Sequence, residues 1–260
     1  MTKIRIPAIF VGHGSPMSAE IDNYYGKQWR EFGKKLAKPK AILVISAHWN
    51  IEETAISDLE NPKQVYDFYG FPQWLYELKY PAVGCPELAQ QIKKLLAPLV
   101  EVKTNNEWGI DHGAWIPLAS LFPKADVPVL QLSLDATKPA NFHYELGKAL
   151  RPLREQGVMI VGSGDIVHNL SELEFEENAK PLAWAENFEK KVLQAIDNRN
   201  HQALINYIQL DSQASFAVPA AEHYLPLLYV LALQEDDDQL EYFAHGIAHG
   251  SISMTSFVLR

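Results

Sequence analysis

Four short apolar segments set the hydrophobic pattern of the chain. They cover residues 8–11, 41–46, 127–134 and 158–162, and their near-continuous apolarity predicts strands that are buried on both faces. Between them, residues 24–36, 87–96, 141–150 and 182–196 carry apolar side chains at every third or fourth position, which is typical of amphipathic helices. Strands that alternate with helices indicate a three-layer α/β/α fold with a central, mainly parallel sheet.

The end of the chain has a different pattern. Residues 240–244 and 251–258 are strand-like and are joined by a Gly-containing connection without a helix, so we expect a C-terminal antiparallel hairpin at the edge of a mixed sheet. The acidic residues 235–238 before it are interpreted as a solvated turn. Because no linker rich in Pro, Gly and Ser divides the 260 residues, we expect a single domain over residues 1–260.

Composition and charge argue against several classes of partner. The 23 Lys and Arg residues against 32 Asp and Glu give a net charge of −9 without a basic cluster, which disfavours nucleic acid. The longest apolar runs fall short of the roughly 20 residues that cross a bilayer, and the N-terminal segment does not resemble a signal peptide. The single Cys85 cannot form an internal disulfide, so we expect a cytoplasmic protein that does not associate with membranes.

A long irregular segment covers residues 51–81 and is rich in aromatic side chains, among them Phe68 and Phe71. Loops of this length usually cover a functional site. We therefore expect this segment to close over a site.

Three histidines follow predicted strands. His13 comes after the first strand, His48 after the second and His168 after the fourth. Ligands of open α/β sheets bind outside the carboxyl ends of the strands, so these imidazoles are expected at one edge. Imidazole is the commonest metal ligand of proteins, and such a set suits Zn(II) or Fe(II).

Glu222 and His223 open a predicted helix that runs through residue 233. Neighbours on a helix point about 100° apart, so only one of them faces the metal readily. Glu222 would complete a site of two histidines and one carboxylate, whereas His223 would give an all-nitrogen site. Both alternatives stay open on these grounds.

His112 lies in a loop between aromatic residues, before a predicted short helix. It could donate a hydrogen bond to a substrate or to bound oxygen, and Asp111 or Asp165 could orient a partner imidazole. The alternative role for Asp111 is that of a helix cap. His245 and His249 have the i, i+4 spacing of a zinc pair, but Gly246 and Gly250 argue against a helix there.

These histidine motifs resemble the class III extradiol ring-cleaving dioxygenases of the LigB type, and within them the bacterial 4,5-DOPA extradiol group. The resemblance rests on five separated blocks in the right order. The blocks are Gly12-His13-Gly14-Ser15-Pro16, Ser46-Ala47-His48-Trp49, Asp111-His112-Gly113-Ala114-Trp115, Gly162-Ser163-Gly164 with His168-Asn169-Leu170, and Glu222-His223 with Tyr224 and Pro226.

The resemblance implies one divalent metal ion, held by His13, His48 and a third ligand that looks like His223 in the DOPA-type branch. A glutamate fills that position in the protocatechuate-type branch, which keeps Glu222 as the alternative ligand. His168 matches the position of the catalytic base and, in bacterial relatives, lies close to a bound zinc. His112 matches a histidine that positions the substrate and assists proton transfer.

The implied reaction uses a catechol and O2, and Trp49 and Trp115 are expected to wall the planar ring. Ring cleavage requires Fe(II), because Zn(II) cannot take part in redox chemistry, although we expect Zn(II) in the isolated protein. A zinc-dependent hydrolase, with His168 or Glu222 activating water, is the alternative enzyme class. A metal-binding interaction protein without turnover is the third reading.

Overall fold

Strands and helices alternate along residues 5–260, the part of the chain that this computed structural model describes. The strands are β1 (Ala8–Gly12), β2 (Ala41–Ile51), β3 (Ala55–Ile56), β4 (Lys103–Thr104), β5 (Val129–Asp135), β6 (Val158–Gly164), β7 (Leu240–Ala244), β8 (Ile247–Ala248), β9 (Ile252–Ser253) and β10 (Ser256–Leu259). The helices are α1 (Tyr24–Gly33), α2 (Gln73–Glu77), α3 (Pro86–Leu96), α4 (His112–Leu121), α5 (Ala140–Leu150), α6 (Pro152–Glu155), α7 (Ala183–Asp197), α8 (His201–Ile205), α9 (Ala214–Ala217) and α10 (Leu225–Ala232).

Within residues 5–260, eight of these strands form one sheet in the order β4-β3-β5-β2-β6-β1-β10-β7. The central strands β5, β2, β6 and β1 are parallel to one another. Toward the edges, β3 is antiparallel to β5, and β10 is antiparallel to both β1 and β7. The predicted mixed, mainly parallel sheet is confirmed.

The two faces of the sheet pack against different helices because side chains alternate along each strand. On β1, Phe10 joins a core that includes residues of α3, α5, α7 and α10. Its neighbours Ile9 and Val11 join a second core with Trp29 of α1 and Trp115 of α4. The fold therefore has the three predicted layers.

The C-terminal hairpin is confirmed in part. Strands β7 and β10 pair at the sheet edge, but the predicted strand at residues 251–258 is divided. Its first half, β9, pairs instead with β8 in a separate small hairpin, and Ile252 forms an isolated bridge to His168. The division brings the β8–β9 hairpin beside the carboxyl end of β6.

The acidic segment before β7 is not a fully solvated turn, and that expectation is wrong for Asp238. The Asp238 side chain is buried, and its two carboxylate oxygens accept hydrogen bonds of 2.5 and 2.9 Å from the guanidinium of Arg154. Arg154 of α6 is buried as well, so its charge requires a partner at this place.

None of the helices in residues 5–260 combines the length and the apolar character that crossing a bilayer requires.

Candidate metal centre

The predicted histidines lie at the carboxyl ends of neighbouring strands. β2, β6 and β1 are adjacent in the sheet, and His13 follows β1 while His168 follows β6. The sequence analysis predicted that His48 follows the second strand, but His48 lies inside that strand. β2 continues to Ile51, past an irregularity in its pairing with β5 between Ile45 and Asn50.

His223 lies in a short 3-10 turn before α10 rather than within the predicted helix. The backbone N–H of Asp165 donates a 2.8 Å hydrogen bond to the His223 carbonyl. A Cβ on Gly164 would lie 2.1 Å from the same carbonyl oxygen, so a glycine is required there. These contacts hold His223 against the end of β6.

The rings of His13, His48 and His223 lie close together, and His13 belongs to two groups whose ligand atoms lie within 4.8 Å of one another, one with His48 and His112 and one with Asp165 and His223. Their centroids lie 5.0 Å (His13 to His48), 5.4 Å (His13 to His223) and 5.2 Å (His48 to His223) apart. The Nε2 atoms of His13 and His48 are 3.0 Å from each other. Three separate elements thus bring their imidazoles together as the sequence predicts.

Hydrogen bonds define which nitrogen of His13 carries its proton. The Ser163 hydroxyl donates its only proton to the Gly113 carbonyl oxygen. The same hydroxyl lies 3.0 Å from His13 Nδ1, so it accepts the Nδ1 proton. The lone pair of His13 is therefore on Nε2, which faces His48.

The two other rings have the same arrangement. His48 Nδ1 lies 3.1 Å from Asp67 Oδ2, and His223 Nδ1 lies 3.1 Å from Glu222 Oε1. The hydrogen bond to Glu222 marks Nδ1 as the protonated nitrogen of His223. The contact of His48 with Asp67 lies within ion-pair distance but lacks hydrogen-bond geometry, and the carboxylate favours a proton on the same Nδ1. With Nδ1 protonated, the Nε2 atom of each ring keeps a lone pair for a cation.

Burial sets the protonation of the cluster. Desolvation, followed by the repulsion of neighbouring imidazoles, holds the pKa of His13 and of His223 well below its usual value. Burial also acts to lower the pKa of His48, but nearby carboxylates, led by Asp67, outweigh it and raise that pKa. Neutral imidazole is the form that binds divalent metals.

These residues fit a bound divalent metal ion. With the proton of each neutral ring on Nδ1, the Nε2 lone pairs of His13 and His48 face each other at 3.0 Å and repel unless a proton or a cation lies between them. Asp165 Oδ2 is buried without a hydrogen-bond partner among the described residues and lies 3.9 Å from His13 Nε2. Burial raises the pKa of Asp165 to about 8, so its carboxyl is mostly protonated at neutral pH without a cation. A cation at this point would bind both nitrogens and favour the ionised carboxylate.

His112 is the first residue of α4, and Asp67 rather than Asp111 lies against it. Asp67 Oδ1 accepts a 2.9 Å hydrogen bond from the backbone N–H of His112, and its Oδ2 is 3.0 Å from His112 Nδ1. Asp111 instead caps the helix, accepting a 3.1 Å hydrogen bond from the N–H of Ala114. Of the two roles considered for Asp111, the cap is therefore confirmed.

Sequence reasoning missed Asp67. Its Oδ2 lies within 3.1 Å of both His48 Nδ1 and His112 Nδ1. The signal that could have found it is its position as a lone carboxylate between the aromatic residues Tyr66 and Phe68.

His168 packs beside the cluster, and a ligand atom of its ring lies within 4.8 Å of those of Glu222 and His223. Its ring is stacked on that of His223, with centroids 3.5 Å apart and an angle of 5° between the planes. Desolvation lowers the pKa of His168 to about 4. The ring is therefore unprotonated at neutral pH and can accept a proton.

A cavity of about 250 Å³ opens over the cluster. Its lining residues are Gly14, Ser15, Pro16, His48, Phe68, Phe71, His112, His168, Leu170, Leu173, His223, His249 and Ile252. The segment of residues 51–81 covers this site, as predicted, through Phe68 and Phe71.

The expectation that Trp49 and Trp115 wall this space is wrong, because neither residue lines the cavity. Both side chains are buried in the protein. Trp115 donates a 3.0 Å hydrogen bond to the Val65 carbonyl and lies behind Phe68, with ring centroids 6.4 Å apart. Trp115 therefore packs against Phe68 from the side of the protein core, while Phe68 and Phe71 line the cavity.

Comparison with known families agrees with this geometry. Residues 7–260 match the family described as the catalytic LigB subunit of aromatic ring-opening dioxygenase. The chain belongs to this family. It is therefore a metal-dependent oxidoreductase that opens the aromatic ring of a catechol with O2.

Similar proteins cover nearly the whole chain. A 4,5-DOPA dioxygenase extradiol of Escherichia coli (strain K12) is 41% identical over 259 residues, which are 98% of this chain and 95% of the relative. A protein of the same name from Beta vulgaris is 37% identical over 262 residues, covering 95% of this chain and 94% of that protein. The crystal structure of an uncharacterized protein from Escherichia coli K12 superposes with a TM-score of 0.86 at 38% identity, covering 98% of this chain and 100% of the other.

Proposed function

We propose that the protein is an extradiol dioxygenase that opens the ring of a catechol such as DOPA by 4,5-cleavage, giving a seco-DOPA semialdehyde. The observation that carries the proposal is the meeting of the rings of His13, His48 and His223, each with its Nδ1 within 3.1 Å of an oxygen of Ser163, Asp67 or Glu222. The similarity to proteins named 4,5-DOPA dioxygenase extradiol supports the choice of substrate. A single catalytic domain over residues 1–260 in the cytoplasm completes the proposal, and the lone Cys85 supports that compartment.

His13, His48 and His223 are the proposed ligands of one divalent ion. Fe(II), when bound, would supply the redox chemistry for inserting both atoms of O2 at the ring bond next to the catechol diol, whereas Zn(II) is the ion expected after ordinary isolation. Glu222 is assigned to positioning rather than to coordination, because its Oε1 holds His223 Nδ1 at 3.1 Å. Asp165, buried beside His13, is assigned to balancing the charge of the ion.

His168 is the proposed base that removes a phenolic proton from the catechol. Its ring lines the cavity, packs on His223 and is unprotonated at neutral pH. The resemblance to bacterial relatives also supports a position of His168 close to the metal. A positioned base of this kind contributes about 10²- to 10⁴-fold to a rate.

His112 is proposed to position the substrate and to assist proton transfer. It lines the same cavity, and Asp67 fixes its backbone and its ring. Phe68 and Phe71 are assigned the role of walling the planar ring, in place of Trp49 and Trp115, and such a contact is worth about 0.5–1.5 kcal/mol.

Loading the protein with Fe(II) under anaerobic conditions, and then adding DOPA and air, tests the proposal. We expect uptake of one O2 for each DOPA consumed and a yellow semialdehyde, because extradiol cleavage inserts both oxygen atoms. A colourless mixture in which an ester or amide is consumed would favour the zinc hydrolase instead. No turnover of either substrate class, together with tight capture of a partner, would favour the non-catalytic protein.

A further inference from the structure

The outer part of the cavity is apolar. Beyond the histidine cluster, its walls come largely from Phe68, Phe71, Leu170, Leu173 and Ile252. No lysine or arginine is among the described residues that line it. A carboxylate on a substrate side chain would therefore lose water there without gaining a cationic partner.

The segment that supplies Leu170 and Leu173 carries a row of acidic side chains. Glu172, Glu174 and Glu176 are exposed along it, and the next residue is Glu177. Like charges at the mouth of a cleft repel an anion and attract a cation. The rim thus adds an electrostatic preference to that of the walls.

His249 is the remaining titratable side chain of the lining outside the histidine cluster. Its Nδ1 lies 3.0 Å from the Glu174 carbonyl oxygen, to which it donates a hydrogen bond. With Nδ1 used in this way, the neutral tautomer of His249 has an acceptor at Nε2, which can accept from an ammonium or a hydroxyl group.

We propose that this cavity selects catechols whose side chain bears no carboxylate, whether uncharged or cationic, over catechols that bear one. The inference rests on the proposed ring cleavage and names the substrate class of the same site. DOPA remains a substrate, but with a lower kcat/KM than dopamine, from which it differs only by its carboxylate.

Oxygen uptake by the Fe(II)-loaded enzyme with DOPA, dopamine and 4-ethylcatechol tests this preference. We expect kcat/KM for dopamine and for 4-ethylcatechol to exceed that for DOPA by roughly tenfold, the ratio that corresponds to about 1.4 kcal/mol. A kcat/KM for DOPA that equals or exceeds the others would overturn this inference while leaving ring cleavage intact. Absence of turnover with all three would overturn both the inference and the proposed function.

A variant with a cation on the cavity wall distinguishes direct pairing with the substrate carboxylate from the electrostatic effect of the acidic segment as a whole. Leu173 lines the cavity and is 44% exposed, so Leu173→Arg can be accommodated. We expect it to raise the ratio of kcat/KM for DOPA to that for dopamine by roughly tenfold. Phe175→Arg is the matched control, because Phe175 lies on the same segment, is 91% exposed and does not line the cavity.

The control is expected to change the ratio by less than about twofold, as for an exposed and screened charge. An unchanged ratio in Leu173→Arg, or an equal change in the two variants, would overturn the assignment of selectivity to the cavity wall. The folding of each variant is checked by its metal content and its activity with 4-ethylcatechol, which has no charge to respond to the substitution.

Discussion

One carboxylate oxygen of Asp67 contacts the imidazoles of both His48 and His112. In Asp67→Asn, the amide cannot accept from both His48 Nδ1 and His112 Nδ1 through the same oxygen without its NH2 group opposing one of the rings. Because such partners orient metal-bound imidazoles, we expect the metal affinity to fall by about 10- to 100-fold. Competition with a chromogenic chelator measures the affinity.

The matched control for this change is Asp126→Asn, which removes an exposed carboxylate that pairs with Lys38 at the surface. An affinity in Asp67→Asn equal to that of the control would contradict the positioning role of Asp67.

His168 and the proposed ligands are expected to differ in what their loss removes. In His168→Ala we expect the metal content to remain, while kcat/KM for ring opening falls by about 10²- to 10⁴-fold through loss of the base. Elemental analysis and oxygen uptake on the same sample measure the two effects. Loss of the metal in His168→Ala would instead make His168 a ligand.

The expectation that ligands bind at the carboxyl ends of the strands located the histidines, but not the residues that contact them. The positions of His13 and His168 follow from local pattern, since each comes just after an apolar strand. Ser163 contacts His13 from 150 positions further along the chain, and Asp67 contacts His48 and His112 from the loop, so no spacing along the chain shows their role. Trp49 was misplaced because composition alone does not tell which side of a strand faces the cavity.

At the scale of elements, the buried pair of Arg154 and Asp238 connects α6 to the turn before β7. Asp238→Asn leaves a buried guanidinium without its counter-charge, and we expect the free energy of unfolding at pH 7 to fall by about 3–5 kcal/mol. Urea unfolding measures this loss. The neighbouring Asp237→Asn is the control, since Asp237 is 64% exposed and its surface ion pair with Arg5 contributes about 0–1 kcal/mol.

The same pair predicts a dependence on pH. Burial acts to raise the pKa of Asp238, but the hydrogen bonds from Arg154 and from the Glu235 N–H outweigh it and hold that pKa below its usual 3.8. A carboxyl whose pKa is lowered in the folded state stabilises above its unfolded pKa and loses that contribution as pH falls through the folded value. The difference between wild type and Asp238→Asn should therefore shrink below pH 3.8, and a constant difference would contradict the assignment.

Element boundaries were predicted best where the chain pattern is strong and local. The helix predicted at residues 87–96 is α3 (Pro86–Leu96), and that at 141–150 is α5 (Ala140–Leu150). The strand at 251–258 was predicted as one element but divides. The backbone N–H of Ser253 donates to the Val167 carbonyl, and the hydroxyls of Ser253 and Thr255 donate to Glu189 of α7. These partners are distant along the chain, so the local pattern does not show the division.

At the scale of the whole molecule, the metal couples distant parts of the chain. An ion that binds the folded state alone stabilises it by about 2.7 kcal/mol at a free concentration 100-fold above Kd. For a chain of this size, that corresponds to a rise in Tm of about 5–10 °C. We expect thermal unfolding of metal-loaded wild type to show this rise over protein treated with a chelator.

In His13→Ala, loading with the metal should leave Tm almost unchanged, since one of the three proposed ligands is missing. An equal rise in wild type and in the variant would place the stabilising ion at another site.

Metal analysis of four purified variants tests the central claim, that imidazoles from three distant elements bind one ion. We expect one divalent ion per chain in wild type and in the control His201→Ala, whose histidine lies on α8 away from the cavity. His13→Ala, His48→Ala and His223→Ala should each lose the ion while remaining folded. Full occupancy in any of these three would contradict the claim.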